Sequence, residues 1–114
     1  QLALHHIRQI KQKLGISGVQ SDICGWKGDG AQIDLLIDRR DQTINLCEMK
    51  FSHGEFEITK QYDERLRERA EIFRSATKTR KALHQTFVTT YGLKKNMYSG
   101  NVQSEVVLDD LFVE

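Results

Sequence analysis

Apolar residues recur with a helical period in two segments of this chain. In the first segment, residues 2–14, they are Ala3, Leu4, Ile7, Ile10 and Leu14. Gly15 follows, as is typical of the residue just after a helix. The second segment starts at Thr59, a favourable N-cap residue, and its apolar stripe is Tyr62, Leu66, Ala70 and Phe73. The pattern therefore predicts two amphipathic helices, over residues 2–14 and 60–75. The charged residues of the second helix, opposite its apolar stripe, are expected to form a mostly solvated face: Lys60, Asp63, Glu64, Arg67, Glu68 and Glu71.

Short apolar runs outside these segments predict strands. The predicted strands cover residues 19–26, 33–38, 44–51 and 82–89, and residues 102–108 form a last strand or turn. The polar residues 27–30 and 39–42 have the length and composition of hairpin connections, so the first three strands are expected to form an antiparallel meander. Strands combined with packed helices predict an α/β fold.

Three charged residues interrupt the second and third predicted strands. Because strand side chains alternate between faces, Glu48 and Lys50 point the same way from the third strand. If the hairpin is symmetric about Asp41, Asp34 lies opposite Glu48. Two carboxylates close together in an apolar sheet repel each other, and a divalent cation between them removes the conflict. Oxygen ligands with retained waters suit Mg²⁺ or Mn²⁺, and a nearby lysine suits chemistry on a phosphate.

An ordinary structural role for these charges stays open on spacing alone. An acid followed at a distance by Glu-x-Lys arises by chance in many proteins. The charges would then lie at a solvated sheet edge, or Glu48 and Lys50 would form an ion pair. Apolar residues on both faces of the two strands favour a central position in the sheet, and with it the functional interpretation.

The residues around this hairpin resemble a known family. The matching segments are GAQIDLLIDR at 30–39, INLCEMKFS at 44–52, TTYGL at 89–93 and YSGNVQSEV at 98–106. They resemble the PD-(D/E)XK nuclease superfamily, which has the restriction-endonuclease-like fold. More narrowly, they are similar to the C-terminal domain of a group of prokaryotic AAA-type P-loop ATPases, over nearly the whole chain. The superfamily's proline before the acid is absent, since Ile33 stands there.

The resemblance implies a restriction-endonuclease-like core of helix, three-strand antiparallel meander, helix and further strands. It implies that Asp34 and Glu48 bind Mg²⁺ or Mn²⁺, with the backbone carbonyl of Met49 between them, and that Lys50 lies beside the attacked phosphate. The implied activity is hydrolysis of nucleic-acid phosphodiester bonds, with DNA as the expected substrate. The alternative is a catalytically silent module that binds nucleic acid or protein and is appended to an ATPase.

Further polar residues are candidates for accessory roles. Related nucleases carry a polar group early in the helix after the active strand, where Lys60 stands here, and the first helix offers His5, His6 and Gln9. The candidate phosphate contacts in loops are Lys78, Arg80, Lys94 and Lys95. For each of them the alternative is an ordinary surface or helix-solubilising role. Trp26 is expected to cover the core, with base stacking as its alternative.

Length and composition limit the remaining possibilities. The 114 residues fit one domain, and the start at Gln1 within a helical pattern suggests a fragment of a longer protein, which the resemblance implies is an ATPase. The formal net charge is +1, so any surface that faces phosphates must be local. Cys24 and Cys47 lack zinc-site spacing and are expected to be buried free thiols. With no membrane-length apolar run and no signal pattern, a cytoplasmic protein is expected, and an oligomer stays open.

Overall fold

One sheet organises residues 5–112, which are the residues that the computed structural model describes. Its five strands lie in sequence order. They are β1 (Ser21–Gly28), β2 (Ala31–Arg39), β3 (Thr43–Lys50), β4 (Ala82–Thr89) and β5 (Ser104–Val107). The helices are α1 (Ile7–Lys13) and α2 (Lys60–Thr77), with 3₁₀ turns at Ser99–Asn101 and Leu108–Phe112. The α/β class predicted from the sequence is confirmed.

The strand directions follow from the connections between them. The first three strands form the predicted antiparallel meander. After β3 the chain crosses over through α2, so β4 pairs with β3 in parallel, and β5 is parallel to β4. Between β2 and β3, Leu36 pairs with Leu46 and Asp38 with Ile44, which confirms the register predicted about Asp41.

The two helices cover opposite faces of the sheet. The cluster on the α1 face contains Ile10, Ile16, Leu35, Ile37, Cys47, Val88, Val106 and Leu111. The clusters on the α2 face contain Ile33, Leu36, Ile44, Leu46 and Phe73, and next to them Ile58, Leu66, Phe87 and Leu93. Trp26 packs edge-on against Phe73, with ring centroids 5.2 Å apart, which confirms its predicted place over the core. Buried apolar area on both faces stabilises the sheet.

A local irregularity between β1 and β2 changes the alternation of β2. Cys24 pairs with Leu36 whereas Trp26 pairs with Ile33, so Gly25 faces two residues of β2. Ile33 and Leu36, three positions apart, therefore both pack on the α2 face. The shift interrupts the alternation of side chains between the two faces of β2. The face of Leu36 therefore no longer predicts the face of Asp34.

The end of α1 and both ends of β4 agree with the prediction. The predicted helix over residues 2–14 starts outside the described residues. Within them α1 begins only at Ile7, after His6, but it ends as expected. Gly15 has a φ of +74°, and the Ile16 N–H donates to the Lys11 carbonyl at 2.9 Å. Residues 82–89 form β4 as predicted.

The first predicted strand is displaced by two residues. It begins at Ser21, because the Val19 N–H donates to the Ile16 carbonyl at 3.0 Å and holds the preceding residues in a turn. The connection to β2 is tight, since Asp29 and Gly30 both have positive φ. The last predicted strand shortens to Ser104–Val107 and is followed by a 3₁₀ turn.

Two expectations about burial are wrong. Cys24 is exposed, because β1 is an edge strand of the sheet. Cys47 is buried as expected, and burial raises the pKa of its thiol to about 12. Asp63 does not belong to a solvated helix face. It is 4% exposed and accepts hydrogen bonds from Asn101 and Arg67.

Neither helix within residues 5–112 is long and apolar enough to cross a membrane.

We expect Gly25→Ala to lower the free energy of unfolding by about 1 kcal/mol, because a tight site accommodates extra atoms only by shifting its backbone. The added Cβ would lie 3.2 Å from the carbonyl oxygen of Asp34, which cannot rotate away. Urea denaturation measures the change. Gly18→Ala is the matched control, since no atom lies within 4 Å of its added Cβ. Equal effects of the two substitutions would contradict the close approach at Gly25.

Candidate functional site

A cavity of about 300 Å³ lies between the end of β3 and the first half of α2. The residues that line it are Glu48, Lys50, Tyr62, Arg65, Leu66 and Arg69. Strand β3 supplies the first two of these residues, and α2 supplies the rest.

The periods of the strand and the helix bring these side chains together. Glu48 and Lys50 are two positions apart on β3 and share a face. Tyr62, Arg65 and Arg69 are three and four positions apart on α2, so they share one helical face. The start of α2 is held by the Thr59 side chain, which accepts a hydrogen bond from the Tyr62 N–H at 3.2 Å. A strand face and a helix face therefore meet at the cavity.

Glu48 is bound by two groups of α2. The Tyr62 hydroxyl donates to Glu48 Oε2 at 2.7 Å, and Arg69 Nη1 donates to the same oxygen at 3.4 Å. The side chains of Arg69 and Glu48 are only 16% and 19% exposed, so water screens this ion pair less than it screens a surface pair. Burial, and after it the hydrogen bond to Glu48, raises the pKa of Tyr62, so its hydroxyl stays a donor at neutral pH.

Two further cations lie against the Tyr62 ring. Lys50 Nζ and Arg65 Cζ are each 5.4 Å from the ring centroid, within the range of cation–π attraction. Tyr62 thus positions Glu48 through its hydroxyl, and Lys50 and Arg65 through its ring. Lysine and two arginines face one carboxylate in this cavity, so its charge is net positive.

Asp34 lies apart from this group. Its carboxylate accepts a hydrogen bond from Gln32 Nε2 at 2.8 Å, and it lines a separate cavity beside Trp26 and Lys27. The last β2–β3 pair is Leu35–Cys47, so the ladder stops one residue short of Asp34 and Glu48. Within residues 5–112 no three His, Cys, Asp or Glu side chains form a group that could hold a metal ion. The structure brings Glu48 and Lys50 together and leaves Asp34 in the neighbouring cavity.

The predicted accessory residues do not line the Glu48 cavity. Lys60 is the first residue of α2 and is exposed. The His6 ring packs edge-on against Phe112 at a centroid distance of 5.1 Å. Gln9 lines another cavity on α1. Because α1 packs on the opposite face from α2, His6 and Gln9 lie across the sheet from Glu48. His5, at the start of the described residues, is exposed.

The four predicted phosphate contacts fall into two groups at opposite ends of β4. Lys78 and Arg80 precede this strand, and Lys94 and Lys95 follow it. Since β3 and β4 are parallel and in register, the end of β4 lies beside Lys50. Lys94 and Lys95 are therefore at the same end of the sheet as Lys50, whereas Lys78 and Arg80 are at the other end.

Arg65 and Arg69 line the cavity but are not among the site residues predicted from the sequence. A charged residue on an amphipathic helix is usually solvated, and nothing in the sequence shows which strand residue lies opposite it. The signal that identifies them is their helical spacing from Tyr62, at three and seven positions.

Neither a model of a protein family nor a curated protein sequence matches this chain. We therefore infer its function from the chemistry of the cavity. The three cations can bind an anionic group, and Glu48 adds an oxygen ligand or a proton acceptor.

We expect Glu48→Gln to lower the free energy of unfolding by about 1.5–3 kcal/mol in the presence of chelator, the range for hydrogen bonds to charged groups. Glutamine keeps an acceptor for Tyr62 but removes the charge that Arg69 faces. Chemical denaturation measures the change. Asp34→Asn removes the same charge from an exposed position and should change stability by less than about 0.5 kcal/mol. If both variants match the wild type, the Glu48–Arg69 pair has no structural role.

Proposed function

We propose that the chain is a metal-dependent nuclease domain that hydrolyses phosphodiester bonds of nucleic acid, with DNA as the expected substrate. The observation that carries this proposal is that Glu48 and Lys50, from alternate positions of β3, line the same cavity. The order of helix, antiparallel meander, crossover helix and parallel strand supports a restriction-endonuclease-like arrangement. The net positive charge of the cavity suits a phosphate substrate.

Glu48 and Asp34 offer the oxygen ligands that Mg²⁺ or Mn²⁺ prefers, from two neighbouring cavities. Both hydrogen bonds that Glu48 accepts from the described residues reach Oε2, so Oε1 is left for a cation. Asp34 is exposed and stands one residue beyond the last β2–β3 pair. Magnesium keeps several waters and needs only one or two carboxylates. Glu48, Asp34 and the backbone carbonyl of Met49 would be its protein ligands.

The residues around the cavity would have separate roles in the reaction. A bound divalent cation lowers the pKa of a coordinated water and polarises a phosphoryl oxygen. Lys50 would hold the attacked phosphate and offset the negative charge that develops on it. Tyr62 would keep Glu48 oriented, because its hydroxyl donates to one carboxylate oxygen and leaves the other available. The ring of Tyr62 would also limit the positions of the Lys50 ammonium.

A catalytically silent module that binds nucleic acid or protein is the second candidate. One observation favours it: Arg69 already balances the charge of Glu48, while Asp34 lies in a separate cavity. An ATPase domain of the same polypeptide would be its partner, as the resemblance to ATPase-associated domains suggests. Such a module would bind nucleic acid in chelator and would show no cleavage when Mn²⁺ is added.

We expect the purified domain to cleave labelled DNA or RNA in Mn²⁺ or Mg²⁺ and not in chelator. Lys50→Ala should lower the cleavage rate at least about a hundredfold, the lower range for the loss of one positioned catalytic group. Its Mn²⁺ affinity, measured by calorimetry, should stay within a few-fold of the wild type, because an ammonium group cannot ligate a metal.

Lys13→Ala is the matched control for this substitution. Lys13 lies on α1, across the sheet from Glu48, and its side chain is 51% exposed. This variant should cleave like the wild type. The nuclease proposal fails if the wild type cleaves no single-stranded, duplex or branched substrate, either alone or joined to its ATPase portion.

A further inference from the structure

Arg69 has hydrogen-bond donors that the described residues leave unused. Its Nη1 donates to Glu48, whereas Nε and Nη2 are buried and have no partner among residues 5–112. A buried donor without a partner is unfavourable, so an acceptor that reaches it binds favourably. The Glu48 contact is long, at 3.4 Å, so it is a weak hydrogen bond and uses only one of the guanidinium donors.

Arg65 and Arg69 line two adjoining cavities. The first is the Glu48 cavity, and the second, of about 340 Å³, extends along α2 to residues 30–32 in the β1–β2 hairpin. The two arginines form the boundary between these cavities because they are four positions apart on one helical face. Together the cavities make a trough that runs from Lys50 across α2 towards the hairpin.

The charge and shape of this trough suit a phosphate group. Its cations are Lys50, Arg65 and Arg69, and its carboxylates are Glu48 and Glu68. A guanidinium presents parallel N–H donors that match two oxygens of one phosphate. The Arg65 side chain lies on the Tyr62 ring, which reduces the freedom that it would lose on binding.

We propose that Arg65 and Arg69 are a phosphate-binding pair that contacts the nucleic-acid backbone next to the phosphate held by Lys50. This inference rests on the proposed function, because it takes nucleic acid as the ligand of the same trough. Helix α2 would then position the nucleic-acid strand, and β3 would supply the residues that act on the reacting phosphate. The proposed ligand group is an internal phosphodiester. A terminal phosphate presents similar oxygens to the same arginines, so the two must be distinguished by experiment.

The test is the binding of a short fluorescent single-stranded DNA in chelator, followed by anisotropy over a range of salt concentrations. Arg65→Gln and Arg69→Gln should each weaken binding about tenfold. Each should also reduce the slope of log K against log salt by about 0.7, the value for one phosphate contact on a single strand. Arg69→Lys keeps the charge but not the forked donors, so its affinity should lie between those of Arg69→Gln and the wild type.

Arg40→Gln is the matched control. Arg40 lies in the turn before β3, at the far end of that strand from Lys50, and forms an exposed ion pair with Asp22. This variant makes the same charge change and should bind like the wild type. Equal weakening by Arg40→Gln would overturn the proposal, because the effect would then reflect net charge alone. Arg65 is exposed, so Arg65→Gln keeps the test valid if Arg69→Gln fails to fold.

A comparison of ligands separates the two sources of phosphate. Strands with a 5′-phosphate and strands with a 5′-hydroxyl should bind equally and lose the same affinity in Arg65→Gln. A loss confined to the 5′-phosphorylated strand would overturn the internal-phosphate proposal. Weaker binding by both arginine variants, with no cleavage by the wild type, supports the phosphate pair and rejects the nuclease. Cleavage by the wild type, with unchanged binding by both variants, supports the nuclease and rejects the phosphate pair.

Discussion

The contact between Glu48 and α2 is the interaction on which the candidate site depends. Glu48 is a carboxylate on a strand whose neighbours are largely buried, and its charge needs a partner there. Tyr62 and Arg69 both reach its Oε2 atom. Because these two residues are seven positions apart on α2, the contact sets the rotation of the helix about its axis. That rotation in turn brings Arg65 to the cavity and the Tyr62 ring to Lys50.

The fold supports this contact through the crossover between β3 and β4. The two strands are parallel, so the chain must return through α2, and α2 is fixed on the sheet by its buried Leu66 and Phe73. A site built on a strand and a packed helix holds its side chains more rigidly than a site built on loops. Lys94 and Lys95, which follow β4, add positive charge at the same end of the sheet.

Much of the fold is predictable from the periods of the apolar residues. The bounds of β4 and the β2–β3 register about Asp41 both follow from short-range patterns, and the structure confirms them. The meeting of Glu48 and Lys50 in one cavity is likewise predictable, because strand alternation alone places them on one face.

The missed features depend on contacts between distant segments. Strand β2 is apolar on both faces, so its sequence does not reveal the change of alternation beside Gly25 or that Asp34 and Glu48 line different cavities. Asp63 is charged and resembles a solvated residue until Asn101 is brought to it from another part of the chain. Arg69 acquires its role only because Glu48 lies opposite it.

We propose that the chemistry occurs where β3 meets α2, with a cation held by Glu48 and Asp34. Paramagnetic broadening by Mn²⁺ in an amide-resolved NMR spectrum of the native domain tests this claim most directly. At substoichiometric Mn²⁺ we expect the amide signals of Asp34, Glu48, Met49 and Lys50 to disappear first and to return with chelator. Broadening that is centred on another acidic segment, such as Asp109 and Asp110, or no selective broadening at all, would contradict the claim.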